Sequence, residues 1–290
     1  MKKIISILTI SVIVLSANNI NDKIKVADKA YDTKNYKQAF QIYSSLVKNN
    51  NPSVEYELAT MYHDGYAVKK DITKAIELYT RASKQGHTLA KVELGILYLN
   101  GNHLNKNYKK AFTLFQDASK TGNDIANYYL GRMYYNGYGV EKNHTLAKKY
   151  YDVAAKQGYD SAMYALGTIL KEEANDNKAD LKKAYDYFKA SSENIPWSNY
   201  ELAVAFLDGN KVIKKNTSKG MFYLSKAVDM HDILATTLLA KIYHDGLYNQ
   251  NINLTKSIQL YDIVVTEYEH IYFDGSDEWK ESLAINTHLK

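Results

Sequence analysis

The chain has 290 residues, of which 46% are hydrophobic and 24% charged, so its composition is that of an ordinary globular protein. It contains no cysteine, which excludes disulfides, thiolate-bound zinc, iron–sulfur clusters and cysteine nucleophiles. Its net charge of +5 falls to +3 without Lys2 and Lys3, which is too small to indicate a nucleic-acid-binding protein.

The first residues, MKKIISILTISVIVLSANN, have the layout of a secretory signal peptide. Two lysines precede an apolar run from Ile4 to Leu15, and the small residues Ser16 and Ala17 follow. A membrane anchor is the alternative, but a helical run of this length spans about 18 Å against a hydrocarbon core of roughly 30 Å. We therefore expect residues 1–17 to be cleaved after Ser16 or Ala17, leaving an exported protein without stable membrane insertion. Because no cysteine follows the run, a lipoprotein anchor is excluded.

Self-similarity with a period of 36 or 37 residues dominates the rest of the chain. A small residue preceded by leucine recurs at Ala59, Gly95, Gly131, Gly167, Ala203 and Ala240. Tetrapeptides such as YHDG and YYNG end at Gly65, Gly101, Gly137, Gly209 and Gly246. Two further columns comprise Tyr79, Phe115, Tyr151, Tyr187 and Tyr223, and Ala82, Ala118, Ala154 and Ala190. Several independent columns with one period identify a repeat protein.

Each repeat is predicted to be a pair of amphipathic helices, called helix A and helix B. In the third repeat, apolar residues at helical spacing predict helix A over about 125–136 and helix B over about 143–156. Gly137 and Gly158 follow the two helices, where a left-handed C-cap is expected. Pro52 and Pro196 are expected at helix starts, where proline is tolerated.

The glycines inside helix A indicate close helix packing. Gly131 costs about 1 kcal/mol of helix propensity relative to alanine, so the approach of another helix must offset that cost. We expect its partners to be Ala147 and Ala154 of helix B. Gly95 and Gly167 occupy the same position in the neighbouring repeats.

The stretch ANYYLGRMYYNGYGVEKNHTLAKKYYDVAAKQG, residues 126–158, resembles the Sel-1-like repeat, a branch of the tetratricopeptide superfamily. The resemblance extends over about residues 53–265. It implies an all-α fold, a right-handed α/α superhelix (solenoid) of about six helix pairs. Upstream, KAYDTKNYKQAFQIYSSLVKNN (29–50) is similar to an ordinary tetratricopeptide pair.

These observations predict a domain organisation. An N-terminal tetratricopeptide-like cap (20–50) precedes the array, and a C-terminal capping helix (269–290) with Trp279, Leu283 and Ile285 follows it. The six repeats are expected at about 53–88, 89–124, 125–160, 161–196, 197–232 and 233–268. The fourth repeat carries a polar insertion, KEEANDNKADLKKA, and the fifth has GNKVIKKNTSKG in place of the glycine turn.

The sequence contains no recognisable catalytic or cofactor motif: no G-x-S-x-G, H-E-x-x-H, P-loop or Rossmann fingerprint. His63 and His244 stand beside Asp64 and Asp245 at equivalent repeat positions, but repeats this far apart in a solenoid do not converge. We expect no cofactor and no metal.

Two surfaces are candidates for partner binding. Helix A is expected to line a concave face, with one row at Tyr56, Val92, Tyr128, Tyr164 and Tyr200 and the next at Thr60, Ile96, Arg132, Thr168 and Val204. The tyrosines suit peptide binding because aromatic side chains give large contact area at low entropic cost, and Arg132 suits a carboxylate. The alternative is that they pack between neighbouring A helices.

Lysine pairs near the start of helix B form the second surface. They lie at 69–70, 109–110, 148–149, 182–183 and 214–215. They are either a basic stripe for an acidic partner or a solubilising outer face.

The resemblance implies a non-catalytic scaffold or adaptor that binds other proteins or peptides on the concave helix-A face. Because the chain is expected to be exported, we place it in the bacterial periplasm or outside the cell, in envelope assembly or host interaction. The alternative is a cell-wall hydrolase, since some relatives have been described as penicillin-binding hydrolases. Those relatives carry a disulfide in each repeat, and this chain has no cysteine.

Overall fold

The structure is a computed structural model that describes residues 20–175 and 177–273, with side chains up to residue 266. The predicted signal peptide (1–17) lies outside the described residues, as do Trp279, Leu283 and Ile285 of the predicted capping helix.

Fourteen α-helices account for most of the described residues, and those residues form no β-strand. They are α1 (Ile20–Asp32), α2 (Tyr36–Leu46), α3 (Pro52–Asp64), α4 (Ile72–Lys84), α5 (Thr88–Asn100), α6 (Tyr108–Ser119), α7 (Asp124–Asn136), α8 (His144–Lys156), α9 (Asp160–Glu173), α10 (Lys178–Ser191), α11 (Pro196–Asp208), α12 (Thr217–Asp229), α13 (Ile233–Asp245) and α14 (Leu254–Phe273). Short 3-10 helices follow α2 (Val47–Asn49) and α13 (Leu247–Asn249). Consecutive helices pack as pairs, which confirms the predicted all-α repeat fold.

The chain divides into two compact units, residues 1–154 and residues 155–290. From α3 onward, odd-numbered helices are the predicted A helices and even-numbered helices are the B helices. In the first unit, the fully buried side chains of Tyr43, Tyr79 and Phe115 centre the core. In the second unit, Phe188, Leu207 and Leu224 have this role.

Helix starts follow a common local chemistry. At the start of α6, the Asn107 side chain accepts a hydrogen bond of 2.9 Å from the backbone N–H of Lys110, which satisfies a donor that has no partner inside the helix. An equivalent capping contact is made by Asn51, Asp71, Asn123, Asn143, Asn177, Asn216, Asp232 and Asn253. Pro52 and Pro196 occupy the first helical positions of α3 and α11, as predicted.

The turn after helix A depends on glycine in the third repeat. Gly137 ends α7 with a φ of 77°, in the left-handed region. Gly139 follows with a φ of 70°, and a Cβ atom there would lie only 2.7 Å from the Cβ of Tyr108. This turn therefore requires glycine both for its backbone angle and for its close approach to α6.

The glycines inside helix A face an aromatic ring of helix B. A Cβ atom on Gly131 would lie 2.6 Å from two ring atoms of Tyr151, and Gly95 and Gly167 face Phe115 and Phe188 at the same distance. The expectation of close packing was right, and the nearest atoms belong to the ring of Tyr151 rather than to the predicted partners Ala147 and Ala154. Glycine is needed here because a flat ring lies over the helix.

The periodic columns shift by one residue in the fourth repeat. The ring that faces Gly167 belongs to Phe188, and in the fifth repeat Leu224 is fully buried while Tyr223 is only half-buried. Ser191 is likewise buried, whereas Ala190 is exposed. Tyr187, Tyr223 and Ala190 thus keep the 36-residue sequence period but are not the structural equivalents of Tyr151 and Ala154, because the connections before α10 and before α12 each add one residue ahead of helix B.

The described helices can be compared with the requirements of a membrane-spanning segment. None of the described helices combines the length and apolar composition that a bilayer-spanning segment needs.

Candidate interaction surface

The predicted tyrosine row is half-buried and packs against helix B. The ring centroids of Tyr56 and Tyr79, of Tyr128 and Tyr151, and of Tyr164 and Phe188 are all 5.8 Å apart, with interplanar angles of 46°, 43° and 45°. One contact is thus repeated within three separate repeats. It holds each tyrosine ring in place, and each of the three tyrosines stays partly exposed.

The row is not uniform along the chain. Tyr56 stacks on His87 with ring centroids 4.7 Å apart, and Tyr164 contacts Trp197 at 5.7 Å. Tyr200 is half-buried, and burial raises its pKa. Val92 is fully buried, so it offers no contact area to a partner.

Residues of the second predicted row contact the tyrosines of the first. Thr60 and Thr168 donate hydrogen bonds of 3.1 Å to the carbonyl oxygens of Tyr56 and Tyr164. The guanidinium carbon of Arg132 lies 6.0 Å from the ring centroid of Tyr128 and 5.6 Å from that of Tyr129. The cation is therefore held over aromatic faces on α7, at cation–π distance.

Sequence reasoning missed an acidic surface in the first unit. We define it by five carboxylates on three helices: Asp28 and Asp32 of α1, Glu57 and Asp64 of α3, and Glu93 of α5. Glu57 and Glu93 are separated by one period of 36 residues, so the signal was present in the sequence. It was overlooked because the same position holds Tyr129 in the third repeat.

The pKa values of these carboxyls reflect burial and mutual repulsion. Burial raises the pKa of Glu57 to about 7, and the negative charges of Asp28 and Asp32 add to the effect. The pKa of Glu93 is raised by burial and then by Asp64. Among the residues that the structure describes, no lysine or arginine forms an ion pair with any of the five carboxylates.

Tyrosines border the acidic surface. The pKa of Tyr31 is raised to about 12 by burial and then by Glu57, and that of Tyr56 is raised to about 12 by burial and then by Glu93. The surface therefore combines unneutralised carboxylates with fixed aromatic edges. This combination suits a cationic polypeptide segment.

The second unit differs at the equivalent position. Glu201 lies four periods after Glu57, and its carboxylate accepts a hydrogen bond of 2.6 Å from the Lys171 ammonium group. Its side chain is 19% exposed. The carboxylate column is therefore neutralised in the second unit and unneutralised in the first.

The histidine–aspartate pairs are contacts between neighbouring residues. Nδ1 of His63 lies 3.3 Å from a carboxylate oxygen of Asp64, and the corresponding distance for His244 and Asp245 is 2.6 Å. In the described ranges, no group of three or more His, Asp or Glu side chains is arranged to hold a metal ion.

Comparisons with known proteins agree with this architecture. The Sel1 repeat profile matches five segments, residues 52–87, 88–123, 124–159, 160–194 and 198–232. Chitin synthase regulatory factor 3 of Schizosaccharomyces pombe is 36% identical over 83 residues. That match spans 28% of this chain and only 9% of the yeast protein.

Two solved structures are similar in fold. A Sel1 repeat protein from Oxalobacter formigenes aligns with a TM-score of 0.76 and 22% identity, covering 84% of this chain and 99% of that one. A protective antigen of uropathogenic Escherichia coli with an SLR fold aligns with a TM-score of 0.58 and 19% identity, covering 90% of this chain and 66% of that one. Sel1 repeats generally mediate protein–protein interaction and are generally not catalytic. The chain belongs to the Sel1 repeat family.

Proposed function

We propose that this protein is a non-catalytic scaffold that binds partner proteins through the A-helix surface of its first unit. The observation that carries the proposal is the acidic surface, in which five carboxylates, two of them half-buried, form no ion pair with a lysine or arginine among the described residues. The raised pKa of Glu57 means that its charge is costly at neutral pH. A lysine or arginine of a partner would offset that cost, so binding energy is available there.

The predicted site residues fit the same proposal. Tyr56 borders the acidic surface, and Tyr128 and Arg132 occupy on α7 the positions that Tyr56 and Thr60 occupy on α3. Arg132 is the residue proposed to meet a partner carboxylate. Tyr164 and Tyr200 occupy the equivalent position on the A helices of the second unit.

The proposal includes export. With residues 1–17 removed, the scaffold would act in the periplasm or outside the cell, in envelope assembly or host interaction. The intact mass of the protein recovered from its native cells tests this step. A mass that begins at Ala17 or Asn18 supports export, and a mass that retains Met1 or Lys2 contradicts it.

The binding surface is tested by crosslinking in cells followed by capture of the tagged protein. The surface variant carries Asp32→Lys, Asp64→Lys and Arg132→Glu. The control variant carries Glu77→Lys, Glu141→Lys and Lys109→Glu, which makes the same change in net charge at exposed positions away from the A-helix rows.

We expect the surface variant to lose the partners that the wild type and the control variant both capture, with all three melting at similar temperatures. Capture of the same partners by the surface variant would contradict the proposed site. Turnover of a chromogenic β-lactam by the purified protein would contradict the non-catalytic assignment.

A further inference from the structure

The second unit contains a groove of about 440 Å³ that is separate from the A-helix rows. Side chains of α10 and α12, which are both B helices, line it together with Leu202 and Phe206 of α11 and with residues of the α11–α12 connection. Its volume is in the ordinary range for a ligand pocket.

The groove is formed where the fifth repeat departs from the repeat pattern. In the third repeat, Tyr138 of the connection stacks on Tyr108 of the preceding B helix, with ring centroids 5.0 Å apart. In the fifth repeat the connection instead supplies Val212 and Ile213, which pack against a buried cluster that includes Tyr185 of α10. The smaller side chains do not replace the stacked ring pair, and they are part of the groove lining.

The apolar part of the groove includes a solvent-exposed aromatic ring. Phe222 is 63% exposed and contacts Tyr223 edge-on, with ring centroids 5.3 Å apart. Phe206 stacks on Tyr223 with ring centroids 5.7 Å apart. An exposed phenylalanine beside a concave apolar lining marks a place where a second apolar group can be buried.

The charged part of the groove is basic. Lys182, Lys189 and Lys219 line it against a single acidic residue, Asp186, which leaves a charge of three minus one, or +2. Nζ of Lys219 lies 5.5 Å from the ring centroid of Phe206. None of the described carboxylates forms an ion pair with these three lysines.

We propose that this groove binds an acidic segment of a partner protein that carries a bulky apolar side chain. The apolar side chain packs against the exposed ring of Phe222 and the apolar lining of the groove, and flanking carboxylates pair with Lys182 and Lys189. Charge complementarity selects the segment and apolar burial holds it. The site is formed by the B helices α10 and α12, by two side chains of α11 and by the α11–α12 connection, so it shares no residue with the acidic surface in the first unit.

The experiment measures fluorescence anisotropy of a short labelled peptide in which glutamates flank a central tryptophan. Two comparison peptides replace the glutamates by lysines or the tryptophan by serine. The protein variants are Lys182→Glu with Lys189→Glu, and Phe222→Ser. Lys69→Glu with Lys70→Glu is the control, since it makes the same charge change at exposed positions in the first unit. Circular dichroism checks that each variant is folded.

We expect the glutamate–tryptophan peptide to bind, and its Kd to rise about tenfold or more in each groove variant and to stay unchanged in the control. Neither comparison peptide should bind with similar affinity. Absence of binding to the wild type, or an equal loss in the control, would overturn the proposal.

Two further binding measurements test whether the groove has a different occupant. Inorganic polyphosphate that binds with the same dependence on Lys182 and Lys189 but none on Phe222 would identify a simple polyanion site and overturn the proposal. Residues 274–290 contain acidic residues around Trp279. Peptide binding seen only after their removal would make that segment the occupant instead. The failure of this proposal would leave the result of the capture experiment at the first unit unaffected.

Discussion

The two units present opposite electrostatics at related places. Glu57 in the first unit has no cationic partner, and burial raises its pKa to about 7. Its equivalent in the second unit, Glu201, pairs with Lys171 at 2.6 Å. In the second unit, three lysines that have no ion pair among the described residues, Lys182, Lys189 and Lys219, instead line the groove between the B helices α10 and α12. The buried positions of the repeat thus maintain one fold, whereas the partly exposed positions differ and can give each unit its own partner chemistry.

The turns of the third and fifth repeats differ in a related way. The third closes with Gly137 and Gly139, both at positive φ. The fifth has one glycine, Gly209, whose ψ of 162° differs from the left-handed cap, and the side chain of Asn210 organises the turn. Its Oδ1 accepts hydrogen bonds from the N–H groups of Val212 and Ile213 at 3.0 and 2.9 Å. A side-chain turn thus replaces a glycine turn and leaves the neighbouring groove open.

The largest loss of stability is expected from Gly131→Leu in the third repeat. The new side chain would occupy space that the ring of Tyr151 already fills, so we expect a loss of about 3 kcal/mol in the free energy of unfolding. Chemical denaturation measures it, with Lys149→Leu on the exposed side of α8 as control. A Gly131→Leu protein as stable as the control would refute the packing of glycine against a ring.

Gly139→Ala and Gly158→Ala separate backbone strain from steric contact. Both glycines have positive φ, so alanine costs about 1 kcal/mol at each. Only Gly139 has an atom close to the new Cβ, because no atom lies within 4 Å at Gly158. We expect a total loss of about 2 kcal/mol for Gly139→Ala, from denaturation curves. Equal losses at the two sites would show that the contact with Tyr108 does not matter.

Asn210→Ala tests the side-chain turn of the fifth repeat. It removes the two hydrogen bonds within the turn and a third of 3.0 Å to the hydroxyl oxygen of Tyr185. We expect a loss of about 1–2 kcal/mol in thermal or chemical unfolding. Asn210→Asp, which keeps the acceptor to the two N–H groups, should lose less. If both variants match the wild type, the turn does not depend on this side chain.

Glu57→Gln and Glu201→Gln should change stability in opposite directions at pH 8. The pKa of folded Glu57 is above its unfolded value, so stability falls as the pH rises from about 4.5 to about 7. Removing that charge should stabilise the protein by about 1 kcal/mol at pH 8 and by little at pH 4.5. Glu201→Gln breaks an ion pair and should cost about 0.5 kcal/mol. Effects of the same sign would contradict the contrast between the units.

The features that recur in every repeat could be predicted from the sequence. The columns through Gly131 and Leu130 predicted the helices and the tight packing. Periodicity could not name the partner of Gly131, because spacing along one helix does not show which side chain of the next helix lies opposite. It also hid the shift to Phe188, since Tyr187 is aromatic as well and kept the 36-residue count.

The candidate surfaces were predicted less well, for a physical reason. The tyrosine row was found because it recurs, but its contact with the B-helix rings appears only in three dimensions. The acidic surface draws Asp28 and Glu57 from different helices, so no single periodic column contains it. The groove near Phe222 arises from an irregular turn, and irregular turns have no period to reveal them.

The central claim is that the A-helix surface of the first unit binds a partner. The most direct measurement places a photo-crosslinking amino acid singly at Asp32, Asp64, Glu77 or Lys109 and irradiates living cells. The first two positions lie on the acidic surface, and the last two lie on B helices of the same unit. The account predicts partner adducts from Asp32 and Asp64 and none from Glu77 and Lys109. Adducts only from Glu77 and Lys109 would contradict it.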